Sequence, residues 1–73
     1  MSDAAFEKFS RDFGRRVRSI RQRRGLTQED RIERGFSLRH YRRIEAGRSV
    51  TLRTLWKLGR ALKVRVRELL PAG

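Results

Sequence analysis

The chain has no cysteine, one histidine and one proline in its 73 residues. Without cysteine there is neither a disulfide framework nor a thiolate zinc site, and a lone histidine cannot anchor a histidine metal cluster. The fold is therefore expected to rest on packing alone, with no metal and no cofactor. Acids are scarce as well: eight Asp and Glu stand against 20 Lys and Arg, a net charge of +12 and a pI near 11.9. Such an imbalance costs the compact state self-repulsion, and what it gains is attraction to a polyanion, either nucleic acid or an anionic membrane surface. No apolar run approaches the roughly 18 to 20 residues of a membrane span. The opening MSDAAFEKF also lacks the basic-then-apolar order of a secretory signal, so a cytoplasmic, nucleoid-associated protein is expected. A chain this short buries only roughly 60% of its unfolded surface. That leaves little room for a deep catalytic pocket, and no enzyme activity is expected.

What the sequence does have is helical periodicity. Phe6, Phe9, Phe13, Val17 and Ile20 recur at steps of three and four, a stripe that runs until Gly25 stops it. This predicts a first helix, with Ser10 or Gly14 as the point where a leading segment can part from the helix proper, since Ser caps and Gly weakens a helix interior. Thr27 caps a short second helix whose first turn holds Glu29 and Asp30, favourable at the positive end of the dipole. Gly35 permits the backbone to turn, Ser37 caps a third helix, and Gly47 ends it. Thr51 caps a fourth from Leu52 to Leu62, with Leu52, Leu55, Gly59 and Leu62 facing inward and Trp56 at the edge. VRVRELL supplies a short fifth before Pro71. Val64 and Val66 alternate too briefly to count as a strand.

The stretch GFSLRHYRRIEAG is the most unbalanced in charge. Arg39, Arg42, Arg43 and Ala46 fall at i, i+3, i+4 and i+7, whereas Tyr41, Ile44 and the preceding Phe36 lie off that stripe. One helix face is cationic and the other apolar. Solubility alone usually mixes the two signs, so an almost purely basic face implies an anionic partner. His40 beside the stripe reads as a surface residue or phosphate neighbour rather than a ligand or pH switch. Two helices across a tight glycine turn, the second with a basic outer face, form the helix-turn-helix pattern.

RRVRSIRQRRGLTQED, GFSLRHYRRIEAGR and TLRTLWKLGRALKVRVRELL together resemble the Cro/C1-type (XRE) helix-turn-helix family over about residues 14 to 70. The match is carried by Gly25-Leu26-Thr27-Gln28-Glu29, then Ile44-Glu45-Ala46-Gly47, then Thr51-Leu52 with Leu55, Leu58 and Leu62, in that order. The resemblance implies an all-α, compact five-helix bundle of the lambda-repressor-like type. Residues 14–70 would be the DNA-binding domain, and 1–13 an N-terminal extension or the start of helix one. It also implies that residues 37 to 46 are a recognition helix and that the protein is a sequence-specific DNA-binding transcriptional regulator, a repressor. Ser37, Leu38, Arg39 and Arg43 match positions that often meet base edges or the adjoining backbone, and Arg42, on the same stripe, is expected to contact bases with them. Gln28 matches a position that contacts phosphate or orients a recognition-helix side chain. Arg48 matches a phosphate-binding position, and Arg21 and Glu45 match a pair that forms an internal salt bridge in some members.

Elementary chemistry supports part of this independently. A major groove admits one α-helix, and a guanidinium donates two parallel hydrogen bonds to guanine O6 and N7, which makes Arg39 and Arg43 candidate guanine readers. Leu38 cannot hydrogen-bond and either touches a thymine methyl or packs on Phe36 or Ile44. The unpaired N–H groups where helices two and three begin suit phosphates, at Thr27 and Gln28 in the first case, and Arg53 joins Arg48 as a flanking cation. Two features depart from the family pattern: the segment Gln28 to Gly35 is one residue shorter, and Arg31 stands where an apolar residue is common. Either Arg31 lays its stem on the core or the helix turns to bury Ile32 instead.

Double-stranded DNA is the expected partner, bound by a homodimer, with Trp56 or the fifth-helix region as the seam. Two alternatives stay open. An antitoxin-like autoregulator would bind both DNA and a protein partner through Trp56 or the Phe6 to Phe9 segment. A sequence-blind cationic nucleic-acid-binding protein would use charge alone. A membrane role is not expected, because the apolar stripes are committed to an internal core.

Overall fold

The first apolar stripe becomes a single helix, α1 (Asp3–Arg23), in a computed structural model that describes residues 3–29 and 35–71. Phe13, Val17 and Ile20 bury its inner face, and Arg21, at the same helical phase as Val17, is buried with them. Ser10 and Gly14 do not divide the helix. Both are buried, and at Gly14 α1 crosses the end of the next helix so closely that a Cβ there would lie 2.7 Å from the Glu45 carbonyl oxygen. The glycine is where two backbones meet, and that packing outweighs its poor helix propensity. Arg24 and Gly25 turn the chain out of α1, with Gly25 at φ +68° and the Leu26 N–H bonded back to the Arg21 carbonyl at 3.1 Å.

Helix α2 (Leu38–Glu45) is the expected third helix. Of the second helix expected before it, residues 30–34 lie outside the described residues, as do Arg31 and Ile32. The described residues thus contain four helices and no strand, against the five helices expected. Ser37 caps α2, its hydroxyl accepting from the His40 N–H at 3.1 Å. Gly47, at φ +93°, closes the other end, and the Arg48 N–H reaches back to the Arg43 carbonyl at 3.1 Å.

Helix α3 (Leu52–Leu62) opens on a Thr51 cap to the Thr54 N–H and ends where Lys63 adopts a left-handed conformation at φ 57°, a position usually given to glycine. Its buried face is centred on Thr54, Leu58, Ala61 and Leu62. Leu52, expected to face inward, is 82% exposed and Trp56 56% exposed. With Leu58 and Leu62 central, Leu52 falls at the rim one turn before Trp56. Helix α4 (Val66–Leu69) adds Leu69 to the core, and its Glu68 carboxylate accepts from the Arg65 N–H at 2.7 Å.

The core is therefore shared by all four helices. Phe13, Val17 and Ile20 meet Tyr41 and Ile44 of α2, Leu58 and Leu62 of α3, and Leu69, with Phe36 filling the turn that leads into α2. Phe36 stands edge-on to Tyr41, with ring centroids 6.1 Å apart. This packing sets α2 on one side of the molecule, its inner face held by Tyr41 and Ile44 and its outer face open.

Candidate nucleic-acid interface

Burying Tyr41 and Ile44 turns the opposite side of α2 outward. Arg39, Arg42 and Arg43 are exposed there, and with Leu38, Ala46 and Arg48 they line one shallow outer surface. Leu38 is half-buried at its edge. On the His40 and Arg43 flank, a cleft of about 1210 Å³ separates α2 from the N-terminal half of α1. Ser37, Arg39, His40, Arg43, Ala46 and Arg48 line one wall, and Asp3, Phe6, Glu7, Ser10 and Arg11 the other. The sequence stripe did not point to Arg11. It reaches this cleft because Gly47 lacks a side chain, since a Cβ there would lie 3.0 Å from the Arg11 Cα.

The other flank of α2 is tied down. Arg21 of α1 donates from Nε to Glu45 Oε2 at 2.6 Å and from Nη2 to Oε1 at 3.1 Å, while its Nη1 donates to the Leu26 carbonyl at 2.8 Å. Side-chain exposure is 9% for Arg21 and 4% for Glu45, so this is an ion pair inside the packed region. Burial alone would push the Glu45 carboxyl up. Arg21, with the Tyr41 hydroxyl and the Gln28 amide adding to it, outweighs burial and holds that carboxyl below the usual carboxylate value. Hydrogen bonding to Glu45 likewise raises the Arg21 guanidinium against the effect of its own desolvation.

Gln28 connects this pair to the surface, donating from Nε2 to Glu45 Oε1 at 3.1 Å and accepting at Oε1 from Arg42 Nε at 3.2 Å. Arg42 Nη2 also lies 3.8 Å from Glu29 Oε1, with both side chains more than half exposed. Arg42 thus leans toward residues 28 and 29, whereas Arg39 and Arg43 line the cleft on the opposite flank. Thr27 and Arg53 are exposed, Thr27 in the segment after α1 and Arg53 in the first turn of α3.

Lys57 carries no motif signal, yet it supports the entry to α2. Its Nζ donates to the Gly35 carbonyl at 2.9 Å and stands 4.8 Å from the centre of the Phe36 ring. On the outer side of α3, the Arg60 guanidinium lies over Trp56, 5.0 Å from the ring centre. Phe6 and Phe9 of α1 are exposed as well. No described helix is long and apolar enough to cross a membrane.

A Helix-turn-helix family model matches residues 17–69. Among solved structures, the restriction-modification controller protein C.AhdI from Aeromonas hydrophila superposes with a TM-score of 0.78 at 35% identity, covering 84% of this chain and 96% of that one. No curated protein matches the chain. The exposed basic helix held across a turn, the family match and the likeness to a controller protein agree, and the chain belongs to the Cro/C1-type (XRE) helix-turn-helix family of sequence-specific DNA-binding transcriptional regulators.

Proposed function

We propose that α2 enters the major groove with Arg39 and Arg43 as guanine readers, and with Ser37 and Leu38 meeting base edges at its leading end. The observation that carries this reading is the exposed guanidinium pair, Arg39 and Arg43, one turn apart on a helix whose other face is anchored by Tyr41 and Ile44. Each can present two parallel donors to guanine O6 and N7. Thr27, Arg48 and Arg53 flank the helix and suit phosphates, which position the protein without reading sequence. As a DNA-binding regulator of this family the chain acts on transcription, and the sense of that action in this reading is repression.

A helix covers only a few base pairs, so a homodimer on two half-sites about 10 to 10.5 base pairs apart, or a multiple of that, supplies the remaining affinity. The exposed Leu52 and Trp56 at the edge of α3 support that face as the seam. The same exposure is what an antitoxin-like protein partner would need, and a homodimer found free of any bound protein excludes that reading. The test of base reading is selection of bound duplexes from a random pool, followed by affinities of Arg39→Ala, Arg43→Ala and Arg39→Lys at fixed salt. Each Ala variant should lose about 1 to 3 kcal/mol on the selected site and relax one base pair. Lysine should fail to restore the preference because it lacks the planar fork. If the wild-type chain selects no sequence, the proposal is wrong.

A further inference from the structure

We infer that Arg42 is a pre-positioned phosphate clamp, fixed in place by Gln28 and, through it, by the buried Arg21–Glu45 pair, and is not a third base reader. The inference rests on the reading that α2 enters the groove. It starts from the amide of Gln28. A carboxylate only accepts hydrogen bonds, so the contact of 3.1 Å with Glu45 Oε1 requires the amide nitrogen on that side. The amide oxygen is thereby left facing outward, and it accepts from Arg42 Nε at 3.2 Å. Glu45 in turn cannot rotate freely, because Arg21 grips both of its oxygens, at 2.6 and 3.1 Å.

Each link removes a degree of freedom from the next. The last one holds the Arg42 guanidinium by its inner nitrogen and leaves the outer Nη groups as donors. Among the described residues, Glu29, 3.8 Å from Nη2 and 61% exposed, competes for them, and an open pair of that kind yields readily to a phosphate. The direction of reach decides the ligand. Arg42 leans across to residues 28 and 29 at one side of the recognition helix, whereas Arg39 and Arg43 line the outer surface and the open cleft on the other side. Beside a helix seated in the major groove stand the phosphate walls, and contacts there fix register and orientation. The clamp therefore sets the depth and register at which Arg39 and Arg43 meet the bases. Gln28 is a positioning residue in this scheme, acting through Arg42.

The experiment measures affinity of the full chain against salt, for the selected duplex and for a scrambled one, with Arg42→Ala, Gln28→Ala and the double variant. Arg42→Ala removes exposed atoms and should weaken both duplexes by the same factor, with the slope of log affinity on log salt falling by about 0.9. Gln28→Ala leaves Glu45 both Arg21 bonds, so its thermal transition should persist while affinity for both duplexes drops. The double variant should bind no more weakly than Arg42→Ala alone. Loss confined to one base pair in Arg42→Ala would make Arg42 a reader and overturn the clamp. Additive losses in the double variant would show Gln28 meeting phosphate by itself and overturn the positioning. A wild-type chain that does not discriminate the two duplexes defeats the groove reading instead, which keeps the two failures apart.

Discussion

Replacing Gly14 by alanine sets helix propensity against packing, and the structure gives the sign. In an isolated helix the change should stabilise by about 1 kcal/mol, because glycine gives up more backbone freedom on folding than any other residue. Here the new Cβ would lie 2.7 Å from the Glu45 carbonyl oxygen and 2.8 Å from that of Ile44. Both are main-chain atoms at the end of α2, so no rotamer change relieves the contact, and α1 and α2 have to separate. Overpacking of a tight site costs about 1 to 3 kcal/mol. A clash against backbone belongs at the upper end, which leaves a net loss of about 2 kcal/mol after the propensity gain. For a domain of this length each kcal/mol lowers Tm by about 4 to 8 °C, so Gly14→Ala should melt about 8 to 16 °C below the parent. Far-UV circular dichroism during heating measures this, with Ser19→Ala on the exposed face of α1 as the control that gains helix propensity without a clash. A Gly14→Ala melting temperature equal to or above the parent would refute the close crossing of α1 and α2.

Glu45→Ala should cost about 3 to 5 kcal/mol in urea unfolding, because it strands the Arg21 guanidinium in the packed region, whereas replacing both partners by apolar residues should cost less; an unchanged midpoint would mean the pair is open to water. The same carboxyl has its folded pKa held below its ordinary 4.5, so its contribution is complete above that value and is lost as pH falls from there through the folded pKa. A stability curve that is flat through this acid range would contradict that. Arg48→Ala should weaken all duplexes alike and lower the salt slope by about 0.9, and a loss restricted to one sequence would make it a base reader. Trp56→Ala should shift the protein toward monomer in sedimentation while keeping its helix content; an intact dimer would move the seam elsewhere.

Much of the fold was legible in short-range patterns. The caps at Ser37 and Thr51, the stops at Gly25 and Gly47, and the buried phase of Phe13, Val17, Ile20, Tyr41 and Ile44 each depend on residues within a turn or two of one another. Elsewhere a longer-range contact overrides the local pattern. Gly14 looked like a break in α1 because propensity is a local quantity, and the α2 backbone that makes it necessary lies thirty residues further along the chain. Leu52 looked inward by spacing, yet the phase of α3 is set by where Leu58 and Leu62 meet the other helices. The left-handed end of α3 at Lys63 carried no glycine to announce it.

Composition and helical period survive any arrangement of the helices, so the polyanion-seeking charge, the all-helical class, the basic stripe of Arg39, Arg42 and Arg43 and the family are all readable from the residues alone. What each cation of that stripe lies next to depends on how the helices pack. Arg39, Arg42 and Arg43 share one stripe of a helical wheel, but α1 lies along one flank of α2 and Gln28 along the other. This leaves Arg39 and Arg43 bordering an open cleft and ties Arg42 to a buried ion pair. The physical reason is that side-chain hydrogen bonds act over about 3 Å. Which groups come within that distance depends on how the helices cross, and helix crossing is a property of the whole core.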